Sequence, residues 1–173
     1  MKPLGHLAGG YLAARALLNI IKPAPKDELP LLALGTAAGI LPDLDGIYHV
    51  AATGSLDFGE DYDHHRWISH TFPFYWLPLG LVYGWGRLTH RRRVQQAALV
   101  VAAGVTTHLL QDAVGSGTGL MWAWPVSRRM DGICTLHVKG GKAWLAVYNR
   151  HPIAWVERLT IVAALLALLR QIT

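Results

Sequence analysis

Long apolar runs alternate with polar stretches rich in proline and glycine along this chain. The runs cover residues 4–21, 29–41, 72–88, 94–112 and 152–170. Each spans 13 to 19 residues, whereas a strand usually has ~4–8, so length favours helices. Pro73 and Pro152 lie near the starts of their runs, where a helix tolerates proline. The pattern predicts an all-α chain, a compact bundle of about five apolar helices.

Composition agrees with one folded domain spanning residues 1–173, because no repeat or shift in composition divides the chain. Hydrophobic residues make up 52% and charged residues 16%, a balance that excludes intrinsic disorder. The single cysteine, Cys134, excludes an internal disulfide framework and a cysteine-based zinc finger. Nine histidines and eleven acidic residues remain as candidate metal ligands.

Three of the runs approach the length that crosses a bilayer, about 20 apolar residues. These are 94–112, 152–170 and, with aromatic residues near both ends, 72–88; the run 29–41 is too short. Polar residues interrupt the apolar runs at Arg15, His108, Gln111 and Glu157, and polar groups at such depth are costly and usually functional. We therefore expect membrane association, with a soluble bundle of buried apolar helices as the alternative.

The net charge of +5 comes from 16 basic and 11 acidic residues. The basic residues form no single stripe, and Arg91, Arg92 and Arg93 are their only run. With few charges and seven tryptophans, membrane lipid is the expected partner, and no specific nucleic-acid binding is expected.

Four polar clusters carry the chemistry of the chain. They are His6; Asp43 and Asp45; His64, His65 and His70; and His108 and Asp112. Imidazole and carboxylate are the ligands that zinc and its first-row neighbours prefer. Each cluster alone also fits a structural role, as a capping histidine, turn aspartates or a hydrogen-bonded pair four residues apart.

The placement of the clusters separates these interpretations. They lie at the start of the first run, just past the end of the second, at the start of the third and at the end of the fourth. If consecutive helices run antiparallel through short loops, all four clusters meet at one end of the bundle. The sequence therefore predicts a metal site there.

Five motifs follow one another along the chain: His6 with Gly9 and Gly10, LPDLD at 41–45, HRWISHT at 65–71, HLLQD at 108–112 and GSGTGLMWAWPVS at 115–127. Together and in this order they resemble the membrane-bound metal-dependent hydrolases of the YdjM type. The resemblance covers most of the chain and selects His65 rather than His64 as the motif histidine. Trp67 stands where the family usually has glycine, and Gly46 where a histidine often follows the two acids; His49 is a candidate replacement.

The resemblance implies a bacterial-type inner membrane protein with one or two divalent metal ions, zinc being the expected metal. The candidate ligands are His6, Asp43, His65, His70, His108 and Asp112. Asp45 is a bridging ligand, a group that orients a ligand, or the base that activates a water molecule. Arg66 binds a phosphate oxygen of the substrate or is a solvated surface arginine.

The expected function is hydrolysis of a phosphoester, with a lipid-linked substrate compatible with an apolar setting. The metal would lower the pKa of a bound water towards ~7. Two alternatives remain open: a non-catalytic membrane protein whose metal is structural, and a protein that transports or binds metal ions.

Overall fold

The computed structural model describes residues 1–54, 64–115, 118–134, 136 and 141–172, so Ser116 and Gly117 of the glycine-rich motif lie outside the described residues. Within these ranges the chain forms seven α-helices and no strand, which confirms the all-α prediction. The helices are α1 (Pro3–Ile21), α2 (Pro25–Ala38), α3 (Leu44–Thr53), α4 (Phe72–Leu88), α5 (Arg92–Gly115), α6 (Gly141–Arg150) and α7 (Ile153–Ile172). Short 3-10 turns at Leu41–Asp43 and Ile68–His70 precede α3 and α4.

The five predicted helices correspond to α1, α2, α4, α5 and α7. The bounds of α4 are those expected from the apolar run, whereas α2 begins earlier, at Pro25. Proline suits the first helical turn, and the carboxylates of Asp27 and Glu28 in that turn complement the helix dipole. The charged stretch before the second apolar run is therefore part of a helix rather than a loop.

The two further helices, α3 and α6, have only ten residues each and lie in stretches that the sequence pattern treated as polar or irregular. Helix α3 ends at Gly54, whose φ of 68° is the left-handed conformation that closes many helices. Helix α6 buries Tyr148, and the Trp144 ring stacks on that ring at 4.7 Å. A single pair of side chains four residues apart is too short a signal to separate such a helix from a loop.

Glycine residues bring the backbones of α1, α2 and α5 into direct contact. A Cβ atom added to Gly10 of α1 would lie 2.9 Å from the Cα atom of Gly39, just past α2. One added to Gly35 of α2 would lie 2.6 Å from the Cβ atom of Ala14. One added to Gly104 of α5 would meet the carbonyl oxygen of Gly35. Small residues of this kind are what close helix packing in membranes uses.

Around this three-helix centre, α4 packs against α5, and α7 packs against α1. Large apolar side chains on the outer faces of α4 and α7 remain exposed, among them Leu77, Leu81, Leu88, Leu159 and Leu169. An exposed apolar surface of this extent is typical of a membrane or interaction face.

Among the described residues, α5 is long and apolar enough to cross a membrane by itself. Two bent pairs also meet the criteria if each pair counts as one span: α2 with the segment Leu41–Thr53, bent by 50°, and Ala143–Arg150 with Ile153–Gln171, bent by 77°. Helix α4 has 17 residues, fewer than the ~20 of a typical span.

We predict that Gly104→Ala lowers the thermal stability of the purified protein, because the new methyl group meets the Gly35 carbonyl oxygen. Overpacking of this kind costs about 1–3 kcal/mol. Gly84→Ala in α4 is the matched control, since a Cβ there meets nothing within 4 Å. Equal melting temperatures for the two variants would show that the helix contact tolerates a side chain.

Candidate metal centre

Four side chains from three parts of the chain converge at one end of the bundle. One ligand atom from each of Asp43, His70, His108 and Asp112 lies within 4.8 Å of the other three, so the group could hold a metal ion. His70, His108 and Asp112 are at most 1% exposed. The Asp43 side chain is 21% exposed and is the member of the group nearest to the surface.

The antiparallel helices bring these residues together. Asp43 closes the turn after α2, and His70 closes the turn before α4. His108 and Asp112 lie one helical turn apart near the end of α5, with Nε2 and Oδ2 2.9 Å apart. The end of one helix, the start of the next and the end of a third thus meet on the same side of the bundle.

The nitrogen and oxygen atoms that face one another in this group are placed for binding an ion rather than for hydrogen bonding with one another. The Nε2 atom of His108 and the Oδ2 atom of Asp112 are buried and form no hydrogen bond, although they lie close together. The Oδ1 atom of Asp43 lies 3.6 Å from the Nε2 atoms of both His70 and His108. Tetrahedral ligands at zinc-like bond lengths would be roughly 3.3–3.6 Å apart, so these separations fit a common ion.

His6 and His65 border the four-residue group and reach the same carboxylate. The Nε2 atom of His6 lies 3.2 Å from Asp112 Oδ1, and the Nε2 atom of His65 lies 3.6 Å from Asp112 Oδ2. The Met1 ammonium group is also 2.7 Å from Asp112 Oδ1. All six residues expected to bind metal therefore lie in one cluster, in which Asp112 is the common neighbour.

The two oxygen atoms of each carboxylate, that of Asp43 and that of Asp112, face different histidines of the cluster. Oδ2 of Asp112 faces His108 and Oδ1 faces His6. Oδ1 of Asp43 faces His70 and His108, and its Oδ2 lies 4.0 Å from His6. This division is compatible with a single ion on the His70 and His108 side and equally with two ions in the cluster.

All four histidines of the cluster hold Nδ1 on its outer side and turn Nε2 inward. The Nδ1 partners are Gln111 Oε1 for His6 at 3.0 Å, Thr118 Oγ1 for His65 at 3.2 Å, Asp45 Oδ2 for His70 at 3.3 Å and the Gly39 carbonyl for His108 at 2.8 Å. A carbonyl oxygen can only accept, so Nδ1 of His108 carries the proton donated to Gly39, and Nε2 is the ring nitrogen that faces the cluster. Such outer partners orient metal ligands and tune their basicity.

Gln111, Thr118 and Gly39 were not predicted as site residues from the sequence. Gln111 was noted only as a polar interruption of α5, and its Nε2 atom donates to the Gly5 carbonyl at 3.0 Å while its Oε1 atom holds His6. Its position three residues after His108, in the same apolar helix, is the signal that could have identified it. Gly39 acts through its backbone, which leaves no side-chain signal.

Asp45 and Arg66 lie outside the four-residue group. Asp45 is buried on the outer side of His70, and the Ser69 hydroxyl donates to its Oδ2 atom at 3.1 Å. Arg66 is exposed and lines a pocket next to the cluster. His49, the candidate replacement, lies in α3 and is not part of the four-residue group.

Burial and neighbouring charges act differently on two of the histidines. Burial lowers the pKa of His6, although the Asp112 carboxylate opposes the shift. Burial alone would also lower the pKa of His70, but the Asp43 and Asp45 carboxylates beside its ring nitrogens outweigh burial and raise that pKa to about 9. These carboxylates favour a protonated His70 ring at neutral pH, so an ion bound at this ring would displace a proton.

We predict that His108→Ala and Asp112→Ala each lose bound divalent metal, because each removes one ligand atom from the buried group. The expected loss of affinity is at least about 100-fold, since even outer partners of ligands contribute 10–100-fold. Metal content of the purified variants is measured by mass spectrometry. His90→Asn, in the loop between α4 and α5, is the control; wild-type metal content in both ligand variants would contradict the assignment.

We also predict that metal affinity falls as the pH is lowered from 8 to 7. With the pKa of His70 at about 9, both pH values lie below it, so binding releases one proton and affinity drops about tenfold per pH unit. Competition with a chromophoric chelator of known pH dependence measures the change. An affinity that is constant over this range would show that His70 is not a ligand.

Comparison with known proteins places the chain in a family. A search of curated proteins found no match, and a search of solved structures found none either. The family model described as YdjM inner membrane protein matches residues 1–172, which include every residue of the cluster. The chain therefore belongs to the YdjM inner membrane protein family.

Proposed function

We propose that this inner membrane protein is a metal-dependent hydrolase that acts on phosphoesters. The observation that carries the proposal is the buried group of Asp43, His70, His108 and Asp112, whose ligand atoms lie within 4.8 Å of one another. Mixed imidazole and carboxylate ligands are those of hydrolytic metal sites. We infer zinc as the metal, in one or two copies.

Asp43, His70, His108 and Asp112 would hold a divalent ion, which would supply Lewis-acid chemistry for a phosphoryl oxygen and a water molecule. The protein's own part is to hold the ligands in place. Gly39 and Gln111 fix the rings of His108 and His6 through their Nδ1 atoms. The apolar helices around the cluster exclude bulk water, which strengthens electrostatic interactions inside it.

Asp45 contributes by positioning His70 rather than by binding the ion directly. Its Oδ2 atom receives the Ser69 hydroxyl and lies beside Nδ1 of His70. A carboxylate behind a ligating imidazole increases the basicity of the ring and fixes its orientation. Among the three roles considered from the sequence, this contact supports the orienting role.

Arg66 follows His65 directly and is exposed at the edge of the cluster. A guanidinium group matches the geometry of phosphate oxygens and keeps its charge at any physiological pH. Its place beside a cluster histidine supports a role in binding the anionic part of the substrate, a phosphoester of a lipid or of a soluble alcohol.

A purely structural metal is the second candidate function, and the near-complete burial of His70, His108 and Asp112 favours it. The partial exposure of Asp43 favours hydrolysis, because a catalytic site keeps one position open whereas a structural site is closed. Metal transport receives less support, since the cluster lies at one end of the bundle. The deciding test is a panel of phosphoesters incubated with the metal-loaded protein, with Asp112→Ala as the metal-deficient control.

We predict that Arg66→Ala keeps its metal but hydrolyses an anionic phosphoester at least about tenfold more slowly, because a charged hydrogen bond to the substrate is lost. Metal content and turnover are measured on the same preparation. Arg150→Ala removes an exposed arginine elsewhere and should match the wild type. Loss of metal in Arg66→Ala would show that Arg66 supports the structure instead.

A further inference from the structure

A pocket with a cavity volume of about 370 Å³ is lined by Arg66, Ile68, Met121, Trp124 and Arg128. Arg66 and Ile68 neighbour the cluster histidines His65 and His70 along the chain. Two of these five residues carry guanidinium groups, and none of the described lining residues is acidic. The pocket therefore places two guanidinium groups beside apolar side chains.

Both walls of the pocket are close to the cluster along the chain. On one wall, Arg66 follows His65, and Ile68 precedes His70 by two residues. On the other wall, the segment that carries Met121 begins at Thr118, whose hydroxyl lies 3.2 Å from Nδ1 of His65. A ligand in the pocket would thus lie beside residues that touch Asp112.

The loop that carries Arg128 is closed by its own hydrogen bonds. Leu120 and Asp131 exchange two backbone hydrogen bonds of 3.0 Å each, and the Trp122 indole donates to the Asp131 carbonyl at 2.8 Å. Met121, only 4% exposed, forms the buried part of the wall. The loop between Leu120 and Asp131 is therefore held in one conformation by hydrogen bonds between its two ends.

Two adjacent arginines on this loop differ in their partners. Arg129 forms an ion pair with Asp131, with Nε and Oδ1 2.9 Å apart. Arg128 forms no hydrogen bond or ion pair with any residue that the structure describes, and it lines the pocket. A guanidinium group offers five N–H donors in a fixed plane, and those of Arg128 are available to a ligand.

We propose that Arg66 and Arg128 together bind the phosphate group of the ligand, with Trp124 and Met121 contacting the apolar part of the molecule attached to it. Guanidinium groups bind phosphate oxygens in pairs of parallel hydrogen bonds, which makes two of them a selective anion site. The ligand class is a phosphate monoester or diester, a chemistry shared by free phosphate compounds and lipid headgroups. That this ligand is the substrate rests on the hydrolase function proposed above. Phosphate binding by the two arginines can be tested without it.

The test is calorimetric titration of the full-length protein in a nonionic detergent with inorganic phosphate and, separately, with a short-chain phosphatidic acid below its critical micelle concentration. Arg128→Gln should weaken phosphate binding at least about tenfold. Arg129→Gln removes the same charge from the same loop and should bind within about twofold of the wild type, because Arg129 already pairs with Asp131. Arg128→Lys, which keeps the charge but loses the planar donors, should fall between them.

Equal binding by Arg128→Gln and Arg129→Gln would overturn the proposal, whether both retain affinity or both lose it, because the effect would then be absent or a matter of general charge. Binding of the phosphatidic acid alone, still dependent on Arg128, would identify a lipid headgroup as the source. The melting temperature of each variant checks that the loop is folded.

Repeating the titration with the metal-deficient Asp112→Ala background separates this proposal from the hydrolase function. The anion site would be supported if the Asp112→Ala protein still bound phosphate in a way that depends on Arg128. The hydrolase function would be contradicted if the metal-loaded wild type hydrolysed no phosphoester. Hydrolysis that is unaffected by Arg128→Gln would support the hydrolase and contradict the anion site.

Discussion

The burial of the Asp112 carboxylate is the constraint on which the rest of the structure depends. Removing a charge from water costs several kcal/mol unless other groups compensate for it. At 1% exposure, Asp112 receives that compensation from the Met1 ammonium group and from imidazole groups on α1, on the turn before α4 and on its own helix. The carboxylate thus requires the assembled helix ends around it, and the same assembly brings the histidine Nε2 atoms together.

The orientation of the four cluster histidines also depends on the assembled fold, because each Nδ1 atom needs a partner from elsewhere in the chain. Each Nδ1 atom has a partner of a different chemical kind, from an amide oxygen and a hydroxyl to a carboxylate and a backbone carbonyl. Because these partners come from several helices and loops, no single element determines the geometry of the cluster. The ligands are preorganised by tertiary structure, which limits the reorganisation needed when an ion binds.

The sequence was sufficient for the helices that carry the ligands and for the end of the bundle where they meet. Run length predicted α1, α2, α4, α5 and α7, and antiparallel connection of the helices placed His6, Asp43, His70 and His108 together. Helices α3 and α6 were missed because ten residues carry too little periodic signal.

The parts of the site that the sequence did not reveal act through backbone atoms or through contacts between distant segments. The Gly39 carbonyl has no side chain to mark it, and the pairing of His65 with Thr118 depends on how a loop folds back. The pocket lined by Arg66 and Arg128 is likewise a product of tertiary structure. Spacing along a chain cannot report such contacts.

Gly39 serves both the helix contact and the metal cluster. Its Cα atom lies against Gly10, and its carbonyl holds His108. Ion binding at this cluster and association of the helices would therefore be thermodynamically linked, because an ion that binds only the assembled state adds stability that grows with the logarithm of its free concentration. With such an ion in the cluster, lowering its concentration would loosen the bundle, and the supply of the ion in the cell would set how much folded protein persists in the membrane.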